Sequence, residues 1–380
     1  MKCAGSARRA GARHDSGVPS GRPRRRAFLL SACALAAAVL VAGCGRLGEA
    51  AAPPGTTTFD PLTVTIPPSP LDPGTPPEPG LLRITGTPSL GLGLLRVAGA
   101  EGQFAREGIG ARFLPADDEA DVAAALAAGD ADLAVVSTEQ ALVLAEEGVP
   151  VRIILLLTSS KTEDVILGAE GVKEPADLAG RRIAYQPGGD GELVLRDTLA
   201  EAGLTMDDIE AVPVDGVDPG MPLVRGDVDA AVVTGPQARL AQGVEPGLVL
   251  VRAAGERPGL VSRVLVVRDA VADERPGQML AVVRAWQDVY LLDRDDPERI
   301  GGRVGTIQGG DAEDALAALE GTSIYDVPQN AVELFPGGEY HDTVAGLVAG
   351  LATEAGWIAP SDDPAALIDG VFAQTVATAS

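Results

Sequence analysis

Beyond position 44 the chain has no cysteine, and beyond position 14 it has one histidine, His341. Cys/His and Ser/His/Asp catalysis, and metal sites built from several histidines or cysteines, therefore lack their parts, and no metal or cofactor is expected. Aromatic residues make up only 3% of the chain, so stacking surfaces are few. No Gly-Lys-Ser/Thr phosphate loop occurs, and Gly91-x-Gly93 fails as a dinucleotide loop because Arg96 stands where a third glycine belongs. His341-Asp342 reads as a surface helix start. Carboxylates are plentiful, but nothing in their spacing isolates an acid/base pair.

The first 43 residues differ from the rest. Arg22, Arg24, Arg25 and Arg26 precede an apolar run, Ala27 to Gly43, that is short for a membrane span and ends in small residues, the layout of a cleaved secretory signal. Val41-Ala42-Gly43-Cys44 resembles a bacterial lipobox, in which Cys44 takes the lipid and becomes the mature amino terminus. Arg25-Arg26-Ala27-Phe28-Leu29 also resembles a twin-arginine export motif, so either export route fits. Cys3 and Cys33 leave with the leader, and the exported body keeps neither a free thiol nor a disulfide. Removing a leader of net +7 from a formal −24 leaves about −31, a charge that disfavours nucleic acid as a partner and keeps a tethered protein soluble.

From Ala50 to Gly80 the chain is rich in Pro, Thr and Gly and too poor in apolar residues to fold, so it reads as a tether. Extended at roughly 3.1 Å per residue it reaches ~90 Å.

The body contains one unit twice. Gly129 to Ala141 reads GDADLAVVSTEQA and Gly226 to Ala238 reads GDVDAAVVTGPQA, 97 positions apart and in register. Each holds a short strand, Leu133 to Val136 or Ala230 to Val233, apolar enough for a sheet covered on both faces, which runs directly into a helix start. Ser137 and Thr138, and Thr234 with Gly235, therefore stand at the carboxyl ends of strands, where open α/β sheets bind ligands. Two such domains with facing strand ends form a cleft.

Further strands are expected at Leu81 to Ile84, Ala111 to Leu114, Val151 to Leu157, Ile183 to Tyr185, Ile209 to Val214 and Leu248 to Val251, alternating with helices in an α/β, doubly wound order. Asp164 to Gly168 reads as a crossing into the second domain and Val261 to Val267 as the return. Thr158-Ser159-Ser160 is a polar strand end, and Gln186 to Glu192 is a glycine-rich strand-to-helix loop that offers backbone N–H groups. After Val267 the chain is mostly helical. Met279, Val283, Trp286 and Tyr290 form a core stripe, and further helices are expected near Asp311 to Leu319, His341 to Glu354 and Pro364 to Phe372.

Gln103 to Ile109, Ala124 to Val136, Gly171 to Tyr185 and Ala202-Gly203-Leu204 together resemble the substrate-binding proteins of ABC importers for nitrate, sulfonate, taurine and thiamine-precursor ligands. The similarity runs from about Leu82 to the C-terminus, and Gly171 to Tyr185 is its most specific part. It implies a type II periplasmic-binding-protein fold, with two doubly wound α/β lobes joined by two crossover strands and a small-molecule ligand between them. The expected division is a signal peptide (1–43), lipidated Cys44 and tether (44–80), first lobe (81–163), second lobe (164–262) and a mostly helical return to the first lobe (263–380). By position, the resemblance lines the pocket with Thr87, Ser89, Ser137, Thr138, Thr158, Ser159, Gly189, Asp190, Glu192 and Thr234. Many members carry an aromatic where Gly235 stands and a Ser-His pair where Gly191-Glu192 stands, which leaves the ligand open.

The expected function is non-enzymatic: a monomeric, lipid-anchored extracytoplasmic receptor that captures a small polar organic or anionic solute and hands it to a membrane permease. An enzyme on the same fold, of menaquinone- or thiamine-pathway type, and a sensor ectodomain are the competing readings. The lipobox weighs against the enzyme. The hydroxyls and helix starts suit an acidic head group, with Lys161 as the only nearby cation expected. Asp190 and Glu192 would repel a simple anion, by about 4 kcal/mol per close pair at an effective dielectric of 20. A ligand that joins an acid to an amine resolves this, with its cationic end toward Asp190 or Glu192. The lipobox reading itself is tested by Cys44→Ser, which is expected to move the protein from the membrane to the soluble fraction; retention at the membrane would remove Cys44 as the anchor.

Overall fold

A computed structural model describes residues 69–379 apart from 215–217. The leader, Cys44 and the tether as far as residue 68 lie outside the described residues. Among the described residues no helix is long and apolar enough to cross a membrane.

Eleven strands form two sheets among the described residues. The first has the order β11-β4-β10-β3-β1-β2, from β1 (Leu81–Gly86), β2 (Gly110–Phe113), β3 (Leu133–Ser137), β4 (Val151–Ser160), β10 (Ser262–Arg268) and β11 (Thr322–Ile324). The second has the order β7-β6-β8-β5-β9, from β5 (Asp164–Gly168), β6 (Arg182–Tyr185), β7 (Glu210–Pro213), β8 (Ala230–Thr234) and β9 (Val249–Ala253). The two sheets follow one plan. β1 pairs in parallel with β2 and β3, as β6 does with β7 and β8. In each sheet one strand from a crossing is then inserted antiparallel beside the repeat strand: β10 next to β3, and β5 next to β8. The sheets are therefore mixed, because each crossing returns through the middle of a sheet.

The duplicated unit sets this register. In the first copy Asp132 accepts the Arg83 backbone N–H at 2.8 Å, while its own N–H donates to the Arg83 carbonyl at 2.8 Å. In the second, Asp229 accepts the Arg182 N–H at 2.9 Å and donates to the Arg182 carbonyl at 2.8 Å. The second aspartate of Gly-Asp-x-Asp thus extends the ladder where the neighbouring strand begins and fixes which residues reach the sheet's carboxyl edge. Arg83 also grips Asp132 through its guanidinium, at 2.7 and 3.0 Å.

Apolar residues fill both faces of the first sheet. Met279, Val283 and Trp286 of the helix Pro276–Asp295 are fully buried beneath it, whereas Tyr290 is half-buried. Another apolar cluster extends from Val136 and Leu144 to Leu195 and Leu199 through the helix Ala345–Glu354, which lies against helices of both lobes. Residues 69–80, assigned above to the tether, lie on the first lobe. Glu78 accepts N–H bonds from Gly277 (3.1 Å) and Gln278 (2.9 Å) at a helix start, and the Gln278 side chain donates to the carbonyls of Glu78 and Gly80. Within this proline-rich segment a turn at Asp72 accepts the Thr75 N–H at 3.0 Å, while the carbonyls of Glu78 and Gly80 are satisfied by the Gln278 side chain.

The chain passes between lobes at 161–163 and 254–261, and these crossings touch. The Gly255 N–H donates to the Lys161 carbonyl at 3.0 Å, and the Ser160 N–H to the Val261 carbonyl at 2.9 Å. A Cβ on Gly255 would lie 2.7 Å from the Lys161 Cα and carbonyl oxygen. Gly255→Ala is expected to cost about 1–3 kcal/mol, read as a lower urea midpoint; an unchanged midpoint would mean that the crossings tolerate separation.

Candidate functional site

Four helix starts meet where the carboxyl edges of the sheets face each other. Ser89 caps the helix Leu90–Ala100, accepting the Leu92 N–H at 3.4 Å, and Ser137 caps Thr138–Glu146, accepting from Gln140 at 3.3 Å. From the second lobe, Thr234 precedes the helix Gly235–Val244 and donates its N–H to the Gln237 side chain at 2.9 Å. Gly189, at φ +88°, opens the helix Asp190–Glu201 in a backbone region that disfavours other residues.

Between the lobes lies a cavity of about 370 Å³ lined by Ser89, Thr158, Ser160, Ser262 and Arg263 from one side and by Asp164, Asp190 and Thr234 from the other. A second cavity of about 240 Å³ shares Asp164, Asp190 and Thr234 with it and adds Glu119, Gln186 and Gly189. Of the ten expected site residues, Ser89, Thr158, Gly189, Asp190 and Thr234 thus line this space. Ser137, Thr138 and Ser159 are buried in the frame behind it. Thr138 bonds the hydroxyls of Ser262 (2.7 Å) and Tyr340 (2.6 Å), and Ser159 accepts the Gly259 N–H at 2.9 Å. Thr87 is half-buried and lines neither cavity. Glu192 is buried and lines neither; it accepts the Gly188 N–H at 2.9 Å and pairs with Arg196 at 2.6 Å, so it steadies the glycine loop. Next to Gly235, the carboxylate of Glu163 stands 2.5 Å from where a Cβ would lie, and so occupies the space an aromatic there would enter.

Lys161 is exposed, and the cation of the cleft is Arg263, contrary to the sequence expectation. Arg263 reaches from β10 of the first lobe to Asp190 at the helix start of the second and makes two bonds, at 2.5 and 3.1 Å. This bidentate pair spans the lobes. The duplication explains its place. Arg263 lies opposite Ser137 on the inserted strand β10, and Asp164 lies opposite Thr234 on the inserted strand β5. Ser137 and Thr234 are themselves equivalent in the repeat, so the lobes present opposite charges from matching positions.

Carboxyl groups outnumber this guanidinium. Glu139, on the helix after β3, is only 4% exposed, and its Oε2 has no hydrogen-bond partner. Burial, and then the charge of Asp190, push its pKa up to about 8, against the opposing pull of Arg263. Asp164 is pushed up to about 7 by burial and then by Asp190. Glu119 also titrates above its ordinary value, by desolvation first and then by Asp190. For Arg263, burial works against the charged form, but Asp190, with Glu139 and Asp164 behind it, outweighs this and raises its pKa. The sequence held two signals for this cluster: Arg263 is the one charge inside the apolar run Val261 to Val267, and Asp164 heads another apolar strand. Glu139 carries no such signal, because an acid in the first turn of a helix is ordinary.

A family model described as NMT1/THI5 like matches residues 93–300, more than half of the 380-residue chain. A protein named as a binding protein in Brucella abortus (strain 2308) is 26% identical over 140 residues, 36% of this chain and 44% of that relative. The chain thus spans less than half of that relative's length. The taurine-binding periplasmic protein of Escherichia coli (strain K12) is 24% identical over 247 residues, 63% of this chain and 77% of the other. Among solved structures, the periplasmic aliphatic sulphonate binding protein SsuA of Escherichia coli matches with a TM-score of 0.62 at 20% identity, covering 77% of this chain and 92% of that one. The two-sheet architecture is that of the periplasmic binding proteins.

The carboxyl cluster has a consequence for stability. Glu139 and Asp164 hold their protons more tightly when folded than when unfolded, so their contribution is full below about pH 4.5 and is lost as pH rises through about 7 and 8. Between those limits the folded state binds more protons, and the ligand-free protein is expected to melt at a lower temperature at pH 8 than at pH 5.5 in constant salt. Glu139→Gln should flatten that slope; an unchanged slope would exonerate Glu139.

Proposed function

The chain belongs to the NMT1/THI5-like family, and on that premise we propose that it is an extracytoplasmic solute-binding protein. It captures a small polar organic or anionic solute between its lobes and delivers it to an ABC importer, held at the membrane by a lipid on Cys44. The observation that carries this reading is the interlobe cavity of about 370 Å³ faced by Thr158 and Arg263 from one side and by Asp190 and Thr234 from the other. The relatives named for what they bind, taurine and aliphatic sulphonates, support a small-molecule ligand.

The lobes meet over few covalent links, so they turn about the crossings at 161–163 and 254–261. A ligand favours the closed form because only there do both lobes contact it, which supplies the differential affinity that a population shift requires. The Arg263–Asp190 pair already spans the gap, so part of the closing force is intrinsic to the protein. A permease then reads the closed form. Capture and release need no covalent chemistry, which is consistent with a receptor that is not an enzyme.

A thermal-shift screen against sulfonates, nitrate, taurine, pyrimidines and amino acids tests the reading. A true ligand at about 100 times its Kd adds about 2.7 kcal/mol to stability. Arg263→Ala is expected to abolish that gain while the protein stays folded; an undiminished gain would place the ligand elsewhere.

A further inference from the structure

If the cleft is a solute site, its charge determines what enters it. Four carboxyl groups, from Glu119, Glu139, Asp164 and Asp190, act around the single guanidinium of Arg263, and Asp190 already occupies that guanidinium with two bonds. A simple anion would have to displace Asp190 from Arg263 and then sit beside that released carboxylate, among carboxyl groups that can offer it no second cation. The site has the opposite vacancy. Asp164 lines both interlobe cavities, and the Glu139 Oε2, beside the same ion pair, lacks any partner although the residue is 4% exposed. A buried carboxyl oxygen without a donor is rare in folded proteins and costly unless something supplies one.

We infer that the solute carries a protonated amine, seated in the interlobe cavity against Asp164, with Asp190 adding negative potential and Glu139, whose Oε2 has no donor, ionising as the amine arrives. This deepens the solute-binding reading and rests on it. The amine moves from the place the sequence suggested, since Glu192 is committed to Arg196 and Gly188 and Asp190 is shared with Arg263. The groups facing Asp164 are Asp190, Arg263 and Glu163, and those facing Glu139 are Asp190, Arg263 and Tyr340. Among the described residues no three His, Cys, Asp or Glu side chains are placed to hold a metal ion. An acidic group elsewhere on the solute has Arg263 within reach, but the amine is the required part.

Matched probes separate the possibilities. Calorimetry on the full chain would compare 2-aminoethanesulfonate with ethanesulfonate, 3-aminopropanoate with propanoate, and ethanolamine with nitrate. The amine-bearing members are expected to bind at least about tenfold more tightly than their partners, or 1.4 kcal/mol. Their binding should release protons between about pH 5 and pH 8, because a cation favours the ionised forms of Asp164 and Glu139. Asp164→Asn should weaken the amine probes about tenfold with little effect on the plain anions. Glu139→Gln, a nearly isosteric change, should weaken them too and serves if the first variant does not fold. Equal or tighter binding of the plain anions would overturn the amine requirement and leave solute capture standing. Parent-like amine binding by both variants would overturn the assigned site. If the folded parent binds no probe of either kind, both the inference and the solute-binding reading fall.

Discussion

The insertion of one crossing strand into the middle of each sheet constrains everything else in this molecule. β10 lies antiparallel between β3 and β4, and β5 lies antiparallel between β8 and β9. Neither strand can leave without unpairing two neighbours, so the lobes cannot separate by peeling. What remains free is the few residues between each inserted strand and the preceding one, and there the chains bond to each other through Lys161 and Gly255. Motion is thereby confined to a short double crossing, with the apolar contacts of the helix Ala345–Glu354 bridging the lobes elsewhere.

The same insertion positions the charges. Because β10 and β5 begin at the cleft, whatever residue occupies their first positions faces the opposite lobe. Here the charged residues at those starts are Arg263, the second residue of β10, and Asp164, the first of β5. Exposed on a surface, a single Arg–carboxylate pair contributes little. Between lobes that exclude much of the water, the same pair gains strength, and so does the mutual repulsion of the remaining carboxyls, which answer by holding protons. Glu139 is the extreme case, since its helix start alone cannot offset the burial. The local chemistry is thus a balance in which Arg263 is short by several charges.

Much of the fold was legible because its strongest signals are local. The apolar runs at β3, β4, β8 and β10 announced strands, and the Gly-Asp-x-Asp repeat announced two equivalent lobes. The helix Pro297–Gln308 was missed because Gly301, Gly302 and Gly305 argue against helix; in place, Gly301 and Gly305 let the neighbouring segment at Asp311–Leu316 approach closely, so packing overrides propensity. The helix expected at Pro364 to Phe372 is split into a 3₁₀ turn, Pro364–Leu367, and an α-helix from Val371, since Ile368 bridges to Ile153 and the Asp369 N–H donates to the Ile153 carbonyl. In the cleft, strand ends and helix starts were readable from spacing. Which carboxylates are free was not, because that depends on the partner each side chain finds in the fold: Arg196 one turn along the same helix for Glu192 and Arg263 across the lobes for Asp190, with the Glu139 Oε2 left without a donor.

The docking of residues 69–80 has a mechanical consequence. Glu78 clamps the start of the long helix Pro276–Asp295, and Ser69 bonds Thr375 at 2.5 Å on the same lobe. Any tension that the preceding chain transmits is therefore delivered into the first lobe and spread over its helices. It does not act across the double crossing. The second lobe feels such tension only indirectly, through the helix Ala345–Glu354 and the Arg263–Asp190 pair that join it to the first.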